Sequence, residues 1–188
     1  MSDELVNTDN FKLPNEDDLN LLVNNMYKTS DDVSSIANVL CDQCTSSLDD
    51  YVKFISDSLR QPINISNDTL DSFILNLPIY IYYASSAIEL LGIREDVSEL
   101  VKKRKISEVI TKLKDNKSGT AAQRNATAES ICSQDILVNN IFSTAYKMGK
   151  SKIDYAYEIL ASCKKVMSRR IEELKAFNSD THRNNPQI

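Results

Sequence analysis

ICSQDILVNNIFSTAYKMGKSKIDYAYEILASCKKVMSRRIEELKAF, residues 131–177, contains no proline and a single glycine, Gly149. Its apolar residues Ile131, Val138, Ile141, Ala145, Met148, Ile153, Ala156, Ile159, Leu160, Cys163, Val166, Met167, Ile171 and Leu174 recur at helical steps. A strand would alternate apolar and polar residues, and this stretch does not. Upstream the pattern extends to Thr120, a good helix cap. A continuous helix over 120–177 would be a rod of roughly 87 Å at about 1.5 Å per residue. Gly149 is the one place where it could divide. Such length points to antiparallel bundling or to contact between copies.

The rest of the chain reads the same way. Leu19, Leu22, Val23 and Met26 predict a short helix over 15–28, and Ser30 and Asp31 are N-cap candidates for the next. Ile36, Val39, Leu40, Cys44, Leu48, Tyr51, Val52, Ile55 and Leu59 carry that helix to a stop at Pro62. Ser66, Asn67 and Asp68 precede an apolar helix over Thr69–Leu91, which Pro78 should kink or break near 74–78. Gly92 is placed as its C-terminal cap. Residues 94–116 form a charged helix with a thin apolar stripe, and Asp115–Gly119 signals a loop. Three glycines and four prolines in 188 residues suit long helices with few turns. We therefore expect an all-α protein, an elongated bundle of long antiparallel helices with a flexible acidic N-terminal arm. The arm is residues 1–14, a single helical domain covers 15–177, and 178–188 form a polar, frayed tail.

Several classes of function fall away. The most apolar window, Phe73–Ile93, is interrupted by Asn76, Pro78, Glu89 and Gly92, and reads as a buried helix rather than a membrane span. The N-terminus MSDELVNTDNF lacks the pattern of a secretion signal, which predicts a cytoplasmic protein, in a host cytoplasm if phage-encoded. Cys41 and Cys44 form a CxxC, but the only histidine is His182 and the motif lies in a helical pattern. Core packing is the better reading, and no metal or cofactor is expected. There is no phosphate-binding glycine loop, no HExxH and no GxSxG, and the paired carboxylates Asp17-Asp18 and Asp31-Asp32 suit helix starts. No catalytic residue is assigned, and an enzyme is not expected.

Charge is the informative feature. The net charge is −5, from 27 acidic and 22 basic residues. Residues 1–60 carry −8, residues 61–93 carry −3 and residues 94–188 carry +6, so an acidic half reaches to about 93 and a basic half begins at 94. The basic half holds three clusters. The first is Lys102, Lys103, Arg104 and Lys105, and the second is Lys112, Lys114, Lys117 and Arg124 around Gly119. The third is Lys164, Lys165, Arg169 and Arg170, with Lys175 beyond it. Such clusters attract phosphate and release counterions on binding, so these residues are the candidate nucleic-acid contacts. Tyr80, Tyr82 and Tyr83, like Tyr146, Tyr155 and Tyr157, stand among apolar neighbours and read as core with hydroxyls at its edge.

The run IDYAYEILASCKKVMSRRIEELKAF, with Ser168-Arg169-Arg170 and a final Phe177, resembles the end of phage recombination mediators of the UvsY type. LPIYIYYASSAIELLGI, the basic helix after it and GTAAQRNATAE add to the likeness, which spans roughly residues 69–177. The resemblance implies a non-enzymatic, homo-oligomeric accessory to DNA recombination, repair or replication. It implies binding to single-stranded DNA and help in loading a recombinase onto DNA covered by single-strand-binding protein. It places the DNA contacts around Lys112–Arg124. The acidic first 60 residues have no counterpart in that family. Were they to mimic DNA or to hold the basic loop closed, deleting them would raise DNA affinity. The alternative is a helical structural or assembly protein of a phage that binds no nucleic acid.

Overall fold

The computed structural model describes residues 16–116 and 119–183, with side chains described between Lys28 and Phe177. The expected arm at 1–14 lies outside the described residues. Four α-helices follow in order: α1 (Glu16–Leu59), α2 (Asn67–Asp115), α3 (Ala121–Ile131) and α4 (Ser133–Arg183). A 3₁₀ turn, Pro62–Asn64, lies between α1 and α2. The chain is all-α, a bundle of long helices, and no strand occurs among the described residues.

Side-chain pairs fix the directions. Tyr51 of α1 stacks on Tyr80 of α2 with ring centroids 4.5 Å apart, and Cys44 Sγ lies 3.9 Å from the Ala87 carbonyl oxygen, so α1 and α2 are antiparallel. Along α4, Asn139 meets Ser98, Lys150 meets Glu89 and Arg170 meets Asn67, so α4 is antiparallel to α2. The core is the seam between these three helices. Leu48 and Ile55 come from α1, Leu70, Leu77 and Ile88 from α2, and Ala156 and Cys163 from α4, all buried. Each fully buried Leu or Ile contributes about 1.5–3 kcal/mol by leaving water. α4 packs most extensively on α2 and then on α1, while α3 leans mainly on α2.

The starts of α2 and α3 match their caps. The Ser66 side chain accepts from the Thr69 amide at 3.0 Å. Thr120 and Gln123 form a reciprocal capping box at the start of α3. Helix stops were harder to foresee. Ser30 and Asp31 do not start a new helix; α1 runs through them, because nothing between Pro14 and Pro62 is proline or glycine. The helices expected over 69–91 and 94–116 are one, since α2 passes through both Pro78 and Gly92. Pro78 removes one backbone donor but lies on the exposed side, between the buried Leu77 and Ile81 that hold the helix to the core. The last long helix divides at Cys132, with φ −92° and ψ 16°, and not at Gly149. α4 also continues to Arg183, six residues into the expected tail.

Both helical glycines mark close approach. A Cβ on Gly92 would come to 2.9 Å from Tyr146 Cε2. A Cβ on Gly149 would overlap Ile88 Cδ1 and lie 2.8 Å from Cγ1, and Ile88 is fully buried. Glycine costs a helix interior about 1 kcal/mol relative to alanine, so these positions give up helix propensity for proximity of α2 and α4. Gly149→Ala should therefore lower stability by about 1–3 kcal/mol despite its better helix propensity. In a urea-denaturation cycle with Ile88→Ala, the double variant should be at least about 1 kcal/mol more stable than the single effects sum to. Stabilisation by Gly149→Ala alone would mean that no tight contact exists there.

Candidate nucleic-acid interface

The C-terminal end of α2 and the start of α3 bring the first two basic clusters to one end of the bundle. Residues 102–124 contain eight basic and two acidic side chains, a net +6 for the segment, which Asp135 of α4, paired with Lys105 at the same end, reduces. The turn is built by its sequence. The Asn116 amide closes α2 on the Lys112 carbonyl at 3.2 Å, and Gly119 supplies φ +66°, which favours glycine. Gln123 Oε1 accepts from the Thr120 amide at 2.8 Å, and Arg124 Nη1 donates back to the Gly119 carbonyl at 2.7 Å. Arg124 is thereby anchored over the turn. The Lys112 and Lys114 side chains are exposed and make no hydrogen bond or ion pair with the described residues. Lys117 lies outside the described residues.

The consecutive cluster splits into two roles. Lys103 pairs with Glu99 at 2.7 Å and Arg104 with Glu108 at 2.8 Å, both exposed pairs along the same helix. Exposed pairs of this kind are weak and screened by solvent, so phosphate can displace the carboxylates. Lys103 also holds the Glu99 carboxyl below its usual range, by hydrogen bond and charge. Lys102 and Lys105 turn instead toward α4. Lys102 Nζ donates to Asn139 Oδ1 at 2.5 Å, and Asn139 Nδ2 donates to Ser98 Oγ at 3.1 Å. Lys105 pairs with Asp135 at 2.5 Å. These two lysines hold the α2–α4 junction together.

The third cluster lies elsewhere. Arg170 donates to Asn67 Oδ1 at 2.7 Å and to the Pro62 carbonyl at 2.5 Å, beside the start of α2. From Asn67 to Lys112 is about 68 Å of helix at 1.5 Å per residue. Lys164 and Lys165 are exposed, and Arg169 pairs with Glu173 at 2.9 Å. The structure thus joins the first two clusters and leaves the third at the opposite end.

The tyrosines need correction. Tyr82 and Tyr83 are each 68% exposed, Tyr155 and Tyr157 are also exposed, Tyr80 lies at the exposed edge stacked on Tyr51, and of these six Tyr146 alone packs against the core. The buried row of α2 passes through Ile81 and Ala84, which turns Tyr82 and Tyr83 outward. No aromatic residue occurs in 94–124, so the basic end has phosphate-binding groups and no base-stacking platform of its own.

The acidic half meets the basic half at Lys152, which sequence reading missed. Its Nζ lies 2.8 Å from Asp42 Oδ1, 2.6 Å from Asp49 Oδ2 and 3.1 Å from Thr45 Oγ1. Burial, the largest single influence, acts to lower the Lys152 pKa; the Asp42 and Asp49 carboxylates outweigh it and raise it well above the usual lysine value. The signal was Asp42, Thr45 and Asp49 at one helix face, three and four residues apart. α1 also supplies Ala37, Leu48, Val52 and Ile55 to the core, so deleting residues 1–60 removes a wall of the bundle and cannot isolate competition with DNA. Cys41 is buried and Cys44 half-buried on α1, and burial raises both thiols above the usual cysteine pKa.

No family model, curated protein or solved structure matches this chain. The Lys152 contacts carry their own prediction. Lys152→Met keeps the aliphatic stem but strands Asp42 and Asp49 without their cation, and should cost about 1–3 kcal/mol in urea denaturation at pH 7. Because the folded-state pKa is raised, this contribution should be full at neutral pH and fade as pH climbs through the strongly alkaline range. An unchanged midpoint would remove Lys152 from the account of stability.

Proposed function

We propose that this protein is a non-enzymatic accessory of homologous recombination that binds single-stranded DNA, as its resemblance to UvsY-type mediators implies. The observation that supports this most is the net +6 carried by residues 102–124 at one end of the bundle, with Lys112 and Lys114 exposed and unpaired among the described residues. The mechanism is electrostatic. Lys112, Lys114 and Arg124 engage backbone phosphates, and the weak pairs of Lys103 and Arg104 exchange their carboxylates for phosphate as counterions leave. With no aromatic residue at this end, binding follows the strand without reading bases. The recombinase and single-strand-binding protein are the proposed partners, and the chain itself supplies no chemistry to either.

A second reading, a helical assembly protein that binds no nucleic acid, is favoured by one observation. The outward face of α2 is apolar and left uncovered by the other described residues, with Leu75, Tyr82 and Leu100 all exposed.

Fluorescence anisotropy with labelled single-stranded DNA across a salt series separates the readings. Lys112→Glu with Lys114→Glu should weaken binding about 10- to 100-fold at low salt and flatten the salt slope by about 1–2. Lys164→Glu with Lys165→Glu should change it less than about threefold, because those lysines lie at the other end. An unchanged affinity in the first variant would remove this end as the site. Absence of DNA binding by the wild-type chain would leave the assembly reading.

A further inference from the structure

α2 carries two apolar rows of equal period on opposite sides. Leu70, Phe73, Leu77, Ile81, Ala84, Ile88 and Leu91 face the core. The second row runs from Leu75 through Ile79, Tyr82, Ile93 and Val97 to Leu100, every member exposed. At 3.6 residues per turn this row points directly away from α1 and α4. Ser86 and Leu90 fill its middle, bordered by Glu89, which lies five full turns from Asp71 and pairs with Lys150 of α4. Asp71 closes it at one end and Arg104 at the other.

The row is nearly palindromic. Laid against itself in reverse, Leu75 meets Leu100, Tyr82 meets Ile93 and Asp71 meets Arg104, while Ile79 falls one residue from Val97. We propose that a second copy of this chain docks here, the two α2 helices crossing antiparallel about a two-fold axis near Ile88. Charge decides the direction. The antiparallel arrangement sets each Asp71 against the partner copy's Arg104. A parallel one would set Arg104 on Arg104 and Asp71 on Asp71. The area is adequate: the exposed apolar side chains of the row amount to on the order of 800 Å² per copy, what each partner in a standard interface buries. A two-fold pairing of one patch with itself is the commonest closed assembly.

α2 is also the described helix long and apolar enough, by length and composition, to cross a membrane, with 28% of its most apolar window buried. A bilayer suits this face less well than a second helix. The opposite side of α2 is sealed by α1 and α4, which carry Asp42, Asp49 and Lys152 at mid-height. Glu89, at the edge of the row, pairs with Lys150 of α4.

The pairing shares Arg104 with the proposed function, but the DNA-binding test reverses Lys112 and Lys114, so the two are tested separately. A dimer that ignores DNA would reject only that function, and a monomer that binds DNA would reject only the pairing.

Light scattering on the eluting full-length chain, with dilution series for the dimer constant, tests it. The wild type should be dimeric at tens of micromolar. Ile93→Glu should weaken association by at least about 100-fold, with circular dichroism confirming an intact helical fold. Asp71→Arg and Arg104→Asp should each weaken it about tenfold, since each reversal acts at two symmetric contacts. The combined Asp71→Arg, Arg104→Asp variant should return to within about threefold of wild type. These charge changes lie on the exposed surface, so they remain informative should Ile93→Glu fail to fold. A wild type that is monomeric at 100 µM, or monomeric and floating with phosphatidylcholine vesicles, would overturn the proposal. So would a folded Ile93→Glu that still dimerises, or a charge swap no better than its single reversals.

Discussion

The approach of α4 to α2 at Gly149 sets the bundle. With no side chain on Gly149, Ile88 fills the space against the α4 backbone, and Gly92 leaves room for the Tyr146 ring a turn away. Every other contact between the two helices inherits this register. Asn139 reaches Ser98 on one side of it, and Arg170 reaches Asn67 on the other. α1 then lies in the groove the pair creates, its Leu48 and Ile55 fully buried and its carboxylates Asp42 and Asp49 brought to Lys152. Interiors are packed as densely as crystals, so a shift at Gly149 would displace contacts along the length of α4.

Helical class, the starts of α2 and α3 and the α2–α3 turn were legible because each rests on local chemistry. Ser66 and Thr120 are caps by their own hydroxyls, and Gly119 is a turn residue by its own backbone freedom. The reading failed where a local rule met a tertiary contact. Gly92 and Gly149 look like punctuation in a sequence, yet in the fold they are contact points within helices. α2 was the harder case. Its rows through Ile81 and through Tyr82 have the same period and similar apolarity, so periodicity alone cannot say which faces inward. The answer depends on where α4 meets it, which no local pattern states.

The candidate site divides along the same line. Pairs within one helix, such as Lys103 with Glu99 and Arg169 with Glu173, follow from spacing of four residues. Lys102 with Asn139 and Lys105 with Asp135 require the register of two helices, and so the four consecutive basic residues looked equivalent when they are not. The net charge of −5 conceals this arrangement twice over. It averages an acidic half with a basic one, and it counts lysines that bind the fold together as though they all faced solvent.

The Arg170 contacts bear on how the chain is made. The connection between α1 and α2 is closed by a guanidinium that lies more than 100 residues downstream. α4 is also the principal packing partner of both earlier helices. During synthesis the first two helices therefore emerge with their apolar sides uncovered and their joint unlatched. Completion of the core waits for α4 to emerge, and until then the first two helices have only each other to pack against.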